Sequence, residues 1–456
     1  MTDPHRPTPP VVPGAVHRVE IASLDDHGRG TASLGRRTLR VPNARPGELL
    51  DVRLEHVGRH LAVGRIMRVA VAAKDRVEDT CRHGMECPGC GLRTTAPAAR
   101  RAWKRDLVVE ALAAAGLHDV EVAATHAAPT DDRWRAKAYL PARKTSRGVF
   151  LGLYAEGTHR LVNVEGCPAH APAVEAVLGA VRRAIAHAPV TVYDERSQQG
   201  WLRAVAVRAS SVSGRALVTL VATAPPDDAA RALAAAIRAA ASSVAGVGVN
   251  VHPAVSNAPF GGEFLPIEGE TSLVEGTADL PLRVSAGSFF QVNPAVGTAI
   301  HDAVAEAAAG APPGPALDLY GGVGATAVRL ARAGRPVRLV EAPGPAIEDA
   351  RANLAAYPGA QVEAARVEDA LATALAAGPA VVAVNPPRSG LSATVLSALA
   401  SALPPRIVYV SCSPTTLARD LAALRAAGGR VTSVVPFDLM PQTPHVEALA
   451  VMDRTP

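Results

Sequence analysis

The chain has 456 residues, about three times the usual single-domain length, so two or three domains are expected. Hydrophobic residues make up 48% and charged ones 20%, which excludes wholesale disorder; aromatics are only 3%, so the cores must be built from Ala, Val and Leu. With 47 Lys+Arg against 42 Asp+Glu the net charge is +5, an excess that permits a polyanionic partner without demanding one.

Residues 1–13 carry five prolines and read as a disordered leader with no basic-then-apolar signal pattern. Over residues 14–72 short alternating segments at 16–21, 39–41, 49–54 and 61–63, separated by Gly28-Arg29-Gly30, Pro42-Asn43 and Pro46-Gly47, predict a small all-β barrel. Residues 73–290 mix helical stretches (99–115, 171–187, 229–241) with strand-like runs (202–208, 216–222, 247–251), which predicts an α+β domain. Over 291–456 Ala-rich helices alternate with apolar strands at 316–319, 337–341, 380–384, 406–410 and 448–452, the spacing of a mostly parallel, doubly wound α/β sheet. The longest apolar stretches are broken by charge, as 234–251 is by Arg238, so no membrane helix is expected. Five cysteines in a chain this long do not make a secreted disulfide framework, and a cytoplasmic protein is the expectation. No internal repeat is found, and no obligate protein partner is inferred.

Cys81, Cys87 and Cys90 form a C-x5-C-x2-C loop with Gly84, Pro88 and Gly89, and Cys167 lies in a second turn, Glu165-Gly166-Cys167-Pro168. Four thiolates can ligate zinc or an iron–sulfur cluster, and the spacing alone does not separate the two. Cys412 follows a strand and precedes a helical stretch; there it is either a nucleophile, its pKa lowered by the helix N-terminus, or a small apolar filler. Asp318-Leu319-Tyr320-Gly321-Gly322-Val323-Gly324 ends a strand and opens a helix, and Glu341 ends the next strand 17 residues after Gly324. A backbone that a ligand can approach closely, followed by a carboxylate for ribose hydroxyls, suits a nucleoside-type cofactor. Asn385-Pro386-Pro387-Arg388 ends another strand with the Asn385 side chain aimed at the site, or else is an ordinary proline turn. Gln442-Thr443-Pro444-His445-Val446-Glu447 places a carboxylate just before the final strand.

Together these motifs resemble the S-adenosylmethionine-dependent RNA 5-methyluridine methyltransferases, which act on uracil carbon 5 in ribosomal and transfer RNA. The resemblance covers nearly the whole chain from about Val16. It implies an RNA-binding TRAM barrel over 14–72, a central α+β domain with an iron–sulfur loop over 73–290, and a Rossmann-like class I methyltransferase domain over 291–456. It further implies that Cys81, Cys87, Cys90 and Cys167 hold a 4Fe–4S cluster. Ser288-Phe289-Phe290-Gln291-Val292-Asn293 is similar to the segment entering the catalytic domain, whose Gln (Gln291) contacts S-adenosylmethionine. Tyr320, with Gly322 and Gly324 in the glycine turn, Glu341 and Glu368 fall at cofactor-contacting positions, and Asn385 stands where the family's Asp-Pro-Pro-Arg motif has Asp. Residues 411–420 are similar to the nucleophile motif, which makes Cys412 the nucleophile, and 441–447 to the general-base motif, which makes Glu447 the base.

Uracil carbon 5 is a poor nucleophile, which is why the chemistry needs these groups. Addition of the Cys412 thiolate to carbon 6 makes an enolate whose carbon 5 attacks the activated methyl, and Glu447 then removes the carbon-5 proton so that Cys412 is eliminated. The target base must be flipped out or already unstacked. Arg133, Arg135, Lys137, Arg143, Lys144 and Arg147, with Trp134 and Tyr139 interleaved, suit contact with an RNA backbone plus base stacking, or else form a solvated face. The chain departs from the family pattern at Asn385 for Asp, Gly321 for Cys, Ser413 for Asn and Ala325 for a polar residue. Because Cys412 and Glu447 are both present, an active enzyme is expected. The TRAM and cluster features lean toward 23S ribosomal RNA as substrate, with transfer RNA the alternative. Two further readings are an exocyclic-amine methyltransferase, which needs no cysteine, and a non-catalytic RNA-binding protein.

Overall fold

The computed structural model describes residues 10–84, 86–146, 148–156, 158–253 and 258–455; the expected leader lies outside them up to residue 9, as does Arg147. The chain divides into two units, residues through Trp103 with Gln442–Pro444, and Lys104–Pro441 with His445–Pro456.

In the first unit β1 (Val16–Glu20), β2 (Ser23–Leu24), β3 (Gly30–Leu34), β4 (Arg37–Val41), β5 (Leu49–Val57) and β6 (Leu61–Val71) form one sheet in the order β1-β5-β6-β4-β3-β2. Period-2 alternation drives it: Leu50, Val52 and Leu54 of β5 are buried, while between them Asp51 takes ion pairs from Arg18 and Arg68, each 2.8 Å. Three register shifts between β5 and β6 curl the sheet around the core of Ile21, Leu39, Val41 and Leu50. Glu48, fully buried, accepts from the Arg45 backbone N–H (2.8 Å) and from Arg76 Nη1 (2.7 Å). Arg45 in turn donates to the Gly91 carbonyl at 2.9 Å, and Asn43 Nδ2 to the Gly84 carbonyl at 3.0 Å, so the cysteine loop is moored to the sheet at both ends.

In the second unit α1 (Pro97–Ala114) leads to β7 (Lys137–Thr145), β8 (Gly148–Tyr154), β9 (Leu161–Asn163), α2 (Pro172–His187), β10 (Leu202–Ala209), β11 (Ala216–Ala222), α3 (Asp228–Ala240), β12 (Val244–Val251) and β13 (Glu263–Gly269). These strands make a mixed sheet, β13-β12-β11-β10-β7-β8-β9, and a hairpin of β14 (Ser272–Thr277) and β15 (Leu280–Ser285) follows. Then come α4 (Pro294–Ala309), β16 (Ala316–Leu319), α5 (Ala325–Arg332), β17 (Val337–Glu341), α6 (Pro345–Leu354), β18 (Ala360–Ala364), α7 (Val367–Ala376), β19 (Val381–Val384), α8 (Ala393–Ala402), β20 (Arg406–Ser411), α9 (Pro414–Ala426), β21 (Gly429–Phe437) and β22 (Glu447–Arg454). Their sheet runs β18-β17-β16-β19-β20-β22-β21, parallel through β20 and antiparallel at β22 and β21.

Both faces of that sheet are covered, so its central strands are continuous apolar runs. Alternate residues split between two cores: Leu317, Val382 and Tyr409 pack with α7, α8 and α9, whereas Leu339, Ala383 and Val408 pack with α4, α5 and α6. Val108 and Leu112 of α1, with Leu117 and Val122, belong to the first of these cores. This is a Rossmann-like, doubly wound sheet with an antiparallel edge. Among the described residues no helix is long and apolar enough to cross a membrane.

Candidate active site

The parallel strands β17, β16, β19 and β20 are in register at their carboxyl ends, with Leu319 paired to Val340 and Val384, and Val384 to Tyr409. The residues that follow each strand therefore meet at one edge, where ligands of such sheets bind.

After β16 the turn adopts left-handed backbone at Tyr320 (φ 58°), Gly322 (φ 55°) and Gly324 (φ 84°). For a tyrosine this is strained, and it is held there by the turn around it. A Cβ on Gly321 would stand 2.5 Å from Leu339 Cγ, so the turn lies flat on the strand beside it. Gly322 N–H donates to Glu341 Oε2 at 2.9 Å, joining the turn to the end of β17. Beneath it Asp318 is buried; its Oδ2 has no hydrogen-bond partner, and burial, reinforced by the charge of Glu341, raises its carboxyl to about 7. Burial also raises Glu341, against the Gly322 N–H that lowers it. Glu368, at the start of α7, accepts from Ser392 Oγ at 3.1 Å and is held below the usual carboxylate range, first by its own backbone N–H. Burial, then the charges of Glu368, Asp420 and Glu341, pushes the half-buried Tyr320 hydroxyl up to about 12, which places these groups around one ring. Gln291 is buried with its Cβ 2.7 Å from where a Cβ on Gly297 would be, two residues before Asn293 caps α4 by accepting from the Val296 N–H. A buried carboxylate with one unpartnered oxygen, open space over Gly322 and a second carboxylate on the turn amide suit a cofactor with hydroxyls and a cationic centre.

Beyond β20, Cys412 is half-buried directly before Ser413, the residue that caps α9 by accepting from the Thr416 N–H. The helix was expected to lower the thiol pKa. Instead burial and the nearby Glu447 raise it, and Arg388, which hydrogen-bonds the thiol, opposes them. The physical reason is that Ser413 already occupies the helix terminus, while the thiol shares a partly dry site with a carboxylate. Glu447 is the first residue of β22, not a residue ahead of it, because it pairs with Phe437 in the β21–β22 hairpin. It is 6% exposed, and burial raises it to about 7 against the pull of Arg388.

Arg388 thus hydrogen-bonds the Cys412 thiol and acts on Glu447 through its charge, and its Nη2 lies 2.9 Å from His445 Nδ1. Reading Asn385-Pro386-Pro387-Arg388 for its first residue alone passed over it; a cation at a strand end beside a thiol and an acid was the available signal. The Asn385 N–H bonds the Leu319 carbonyl at 3.3 Å, and its side chain makes no hydrogen bond among the described residues. Asp420, fully buried, accepts from the Tyr409 hydroxyl (2.7 Å), the Leu391 N–H (2.9 Å) and Arg419 Nε (2.8 Å), so α9 fastens the loop that carries Arg388.

Two expected groups fall elsewhere. Trp134 is 5% exposed and offers no stacking face, because the inward phase of the strand takes it with Ala136, Ala138 and Leu140. Cys81, Cys87 and Cys90 lie in the first unit and Cys167 in the second; all are of intermediate burial and none is in a disulfide. Among the described residues no group of three or more His, Cys, Asp or Glu side chains is gathered to hold a metal ion.

Residues 130–455 match the model of the tRNA (uracil-5-)-methyltransferase family. The chain belongs to that family. It is 30% identical to an uncharacterised RNA methyltransferase of Halalkalibacterium halodurans over 449 residues, 97% of this chain and 98% of that one. It is 33% identical to another from Thermosynechococcus vestitus, over 96% of this chain and 98% of that one. The crystal structure of Pyrococcus abyssi tRNA (uracil-54, C5)-methyltransferase in complex with S-adenosyl-L-homocysteine superposes with a TM-score of 0.74 at 25% identity, covering 96% of this chain and 100% of that one. This uracil-5 methyltransferase is accordingly an S-adenosylmethionine-dependent RNA methyltransferase, which sets aside the non-catalytic reading.

Proposed function

We propose that the enzyme forms 5-methyluridine in RNA with Cys412 as nucleophile and Glu447 as base. The observation that carries this is the meeting of the Cys412 thiol, hydrogen-bonded by Arg388, with the buried Glu447 carboxyl, raised to about 7 and within reach of the same arginine's charge. Arg388 donates to the sulfur and so favours the thiolate as it adds to uracil carbon 6. S-adenosylmethionine supplies an electrophilic methyl, with Gln291, Tyr320, Gly322, Gly324, Glu341, Glu368 and Asn385 as the residues that hold it. Glu447 takes the carbon-5 proton after transfer, and the electrons left on carbon 5 expel Cys412; its raised pKa makes it the stronger base.

The division into a TRAM-like domain (14–72), a central domain (73–290) and a catalytic domain (291–456), in a cytoplasmic enzyme, belongs to the same reading. Four cysteines outside any disulfide are a donor set for a 4Fe–4S cluster, with Cys81, Cys87, Cys90 and Cys167 as ligands, and no catalytic step passes through it. Iron and acid-labile sulfide near 4 per chain after anaerobic purification, lost in Cys87→Ser, would support it, and their absence would remove it.

We take 23S ribosomal RNA as the substrate; likeness to an enzyme named for tRNA uracil 54 favours transfer RNA as the second reading. Mass-spectrometric mapping of 5-methyluridine in both RNAs, with and without the gene, decides between them. Loss at a ribosomal uridine supports the first, and loss in transfer RNA alone the second. No loss anywhere, or full activity in Cys412→Ala, overturns the chemistry in favour of amine methylation.

A further inference from the structure

A second site lies away from the strand ends, on the mixed sheet of the second unit. Arg143 and Thr145 of β7, Phe150 of β8, His159, Arg160 and Leu161 at the entry to β9, and Arg196 line an open cleft of about 470 Å³. Three guanidinium groups and an imidazole line it, and among the described residues of its wall there is no carboxylate.

The acids nearest to it are engaged beside it rather than in it. Glu195 accepts from the Tyr154 hydroxyl at 2.7 Å and sits 3.2 Å from His159 Nδ1. Asp194 Oδ1 accepts from the backbone N–H groups of Arg196 (3.1 Å) and Ser197 (2.9 Å) and from Ser197 Oγ (3.1 Å), which shapes the turn that presents Arg196. The Arg143 guanidinium donates to the His159 carbonyl, which ties β7 to the entry of β9 and fixes one of its five N–H groups. Arg196 makes no side-chain hydrogen bond or ion pair among the described residues.

Phe150 and Leu161 give the cleft an apolar side. Guanidinium groups that can grip phosphates, next to an aromatic face that can take a base, form the combination that binds unpaired nucleic acid. We propose that this cleft binds an unpaired stretch of the RNA substrate, with phosphates on Arg143, Arg160 and Arg196 and a base against Phe150. The inference rests on RNA being the substrate. It moves the RNA contact from the basic run expected over residues 133–147, of which, among the described residues, Arg143 lines the cleft, to a set drawn from three separate segments.

The test uses the full-length chain and the variants Arg160→Glu and Arg196→Glu, singly and together, both side chains being exposed. Binding of a fluorescein-labelled uridine dodecanucleotide is measured by anisotropy across a sodium chloride series. The double variant should bind about tenfold more weakly at ~0.1 M salt, and the slope of log K against log salt should fall by about 1.4, the loss of two single-strand phosphate contacts. The KM for RNA taken from cells lacking the gene should rise, while S-adenosylhomocysteine affinity by calorimetry stays level and shows the variants to be folded. Unchanged affinity and slope in the double variant would overturn the proposal. So would uridine monophosphate or inorganic phosphate binding as tightly as the oligonucleotide, which would mark a free-anion site. If the unsubstituted enzyme methylates no RNA yet its oligonucleotide binding depends on Arg160 and Arg196, the cleft stands and the uracil-methylating reading falls.

Discussion

Arg388 is the residue whose removal says most about the site. It lowers both Cys412 and Glu447, while burial raises them. On the proposed mechanism product formation needs Glu447 ionised and the thiol able to ionise, so the single-turnover rate should climb with pH through about 7 and show no decline from Cys412 on the alkaline side. Arg388→Met removes the cation, shifts the midpoint upward and lowers the rate at pH 7.5 by about tenfold or more, which rapid-quench assays across pH would read. Glu447→Gln separates chemistry from stability. It blocks proton removal, so an RNA adduct on Cys412 should accumulate and survive denaturing electrophoresis. The folded protein holds the Glu447 proton more tightly than the unfolded chain does, so stability is lost as pH rises from 4.5 to about 7 and stays lost above. Glu447→Gln should therefore be more stable than the parent by about 2–3 kcal/mol at pH 8.5 and show no gain near pH 4.5, as measured by urea unfolding.

At the scale of elements, the turn after β16 holds Gly321, where the resemblance led to the expectation of Cys, and the packing around it shows why a side chain does not fit. Leu339 occupies the space a side chain at 321 would need, its Cγ 2.5 Å from an added Cβ. Gly321→Cys should cost about 1–3 kcal/mol through overpacking and weaken S-adenosylhomocysteine binding, and adding Leu339→Val should restore part of both. Calorimetry with urea unfolding tests the pair. The catalytic strands were legible because a strand buried on both faces is an uninterrupted apolar run, as Val381–Val384 is. β13, with Glu263, Pro266 and Glu268, and β18, with Gln361 and Glu363, were not legible: they are edge strands only partly covered, so burial imposes little pattern on them. Cys412, Glu447 and the glycine turn could be read because each sits on a motif at a strand end. Arg388 and Asp420 take their roles from tertiary proximity, which a one-dimensional spacing does not carry.

At the scale of the molecule, chain order and packing order part company. A boundary near 291 follows the change from mixed to alternating pattern, yet the core beneath α7, α8 and α9 takes in Val108, Leu112, Leu117 and Val122, some 170 residues upstream of it. Val122 and His126 bridge to Val434 and Phe437 of β21, at the edge of the sheet that follows α4. The tie continues through Lys104, fully buried, which donates to Asp438 Oδ1 at 2.5 Å and to the Met440 carbonyl at 3.0 Å at the start of the loop that ends in Glu447. A fragment of residues 291–456 would uncover that apolar face and leave Asp438 buried without its cation, a loss of about 3–5 kcal/mol from the broken ion pair alone. A fragment of residues 104–456 keeps both. The longer fragment should unfold cooperatively and bind S-adenosylhomocysteine. The shorter should aggregate or melt without a transition, although it holds every residue assigned to the cofactor and to catalysis. Calorimetric melting of the two, with and without S-adenosylhomocysteine, tests this; a shorter fragment that binds and melts like the longer one would show that α1 and the segment after it are dispensable to the catalytic sheet.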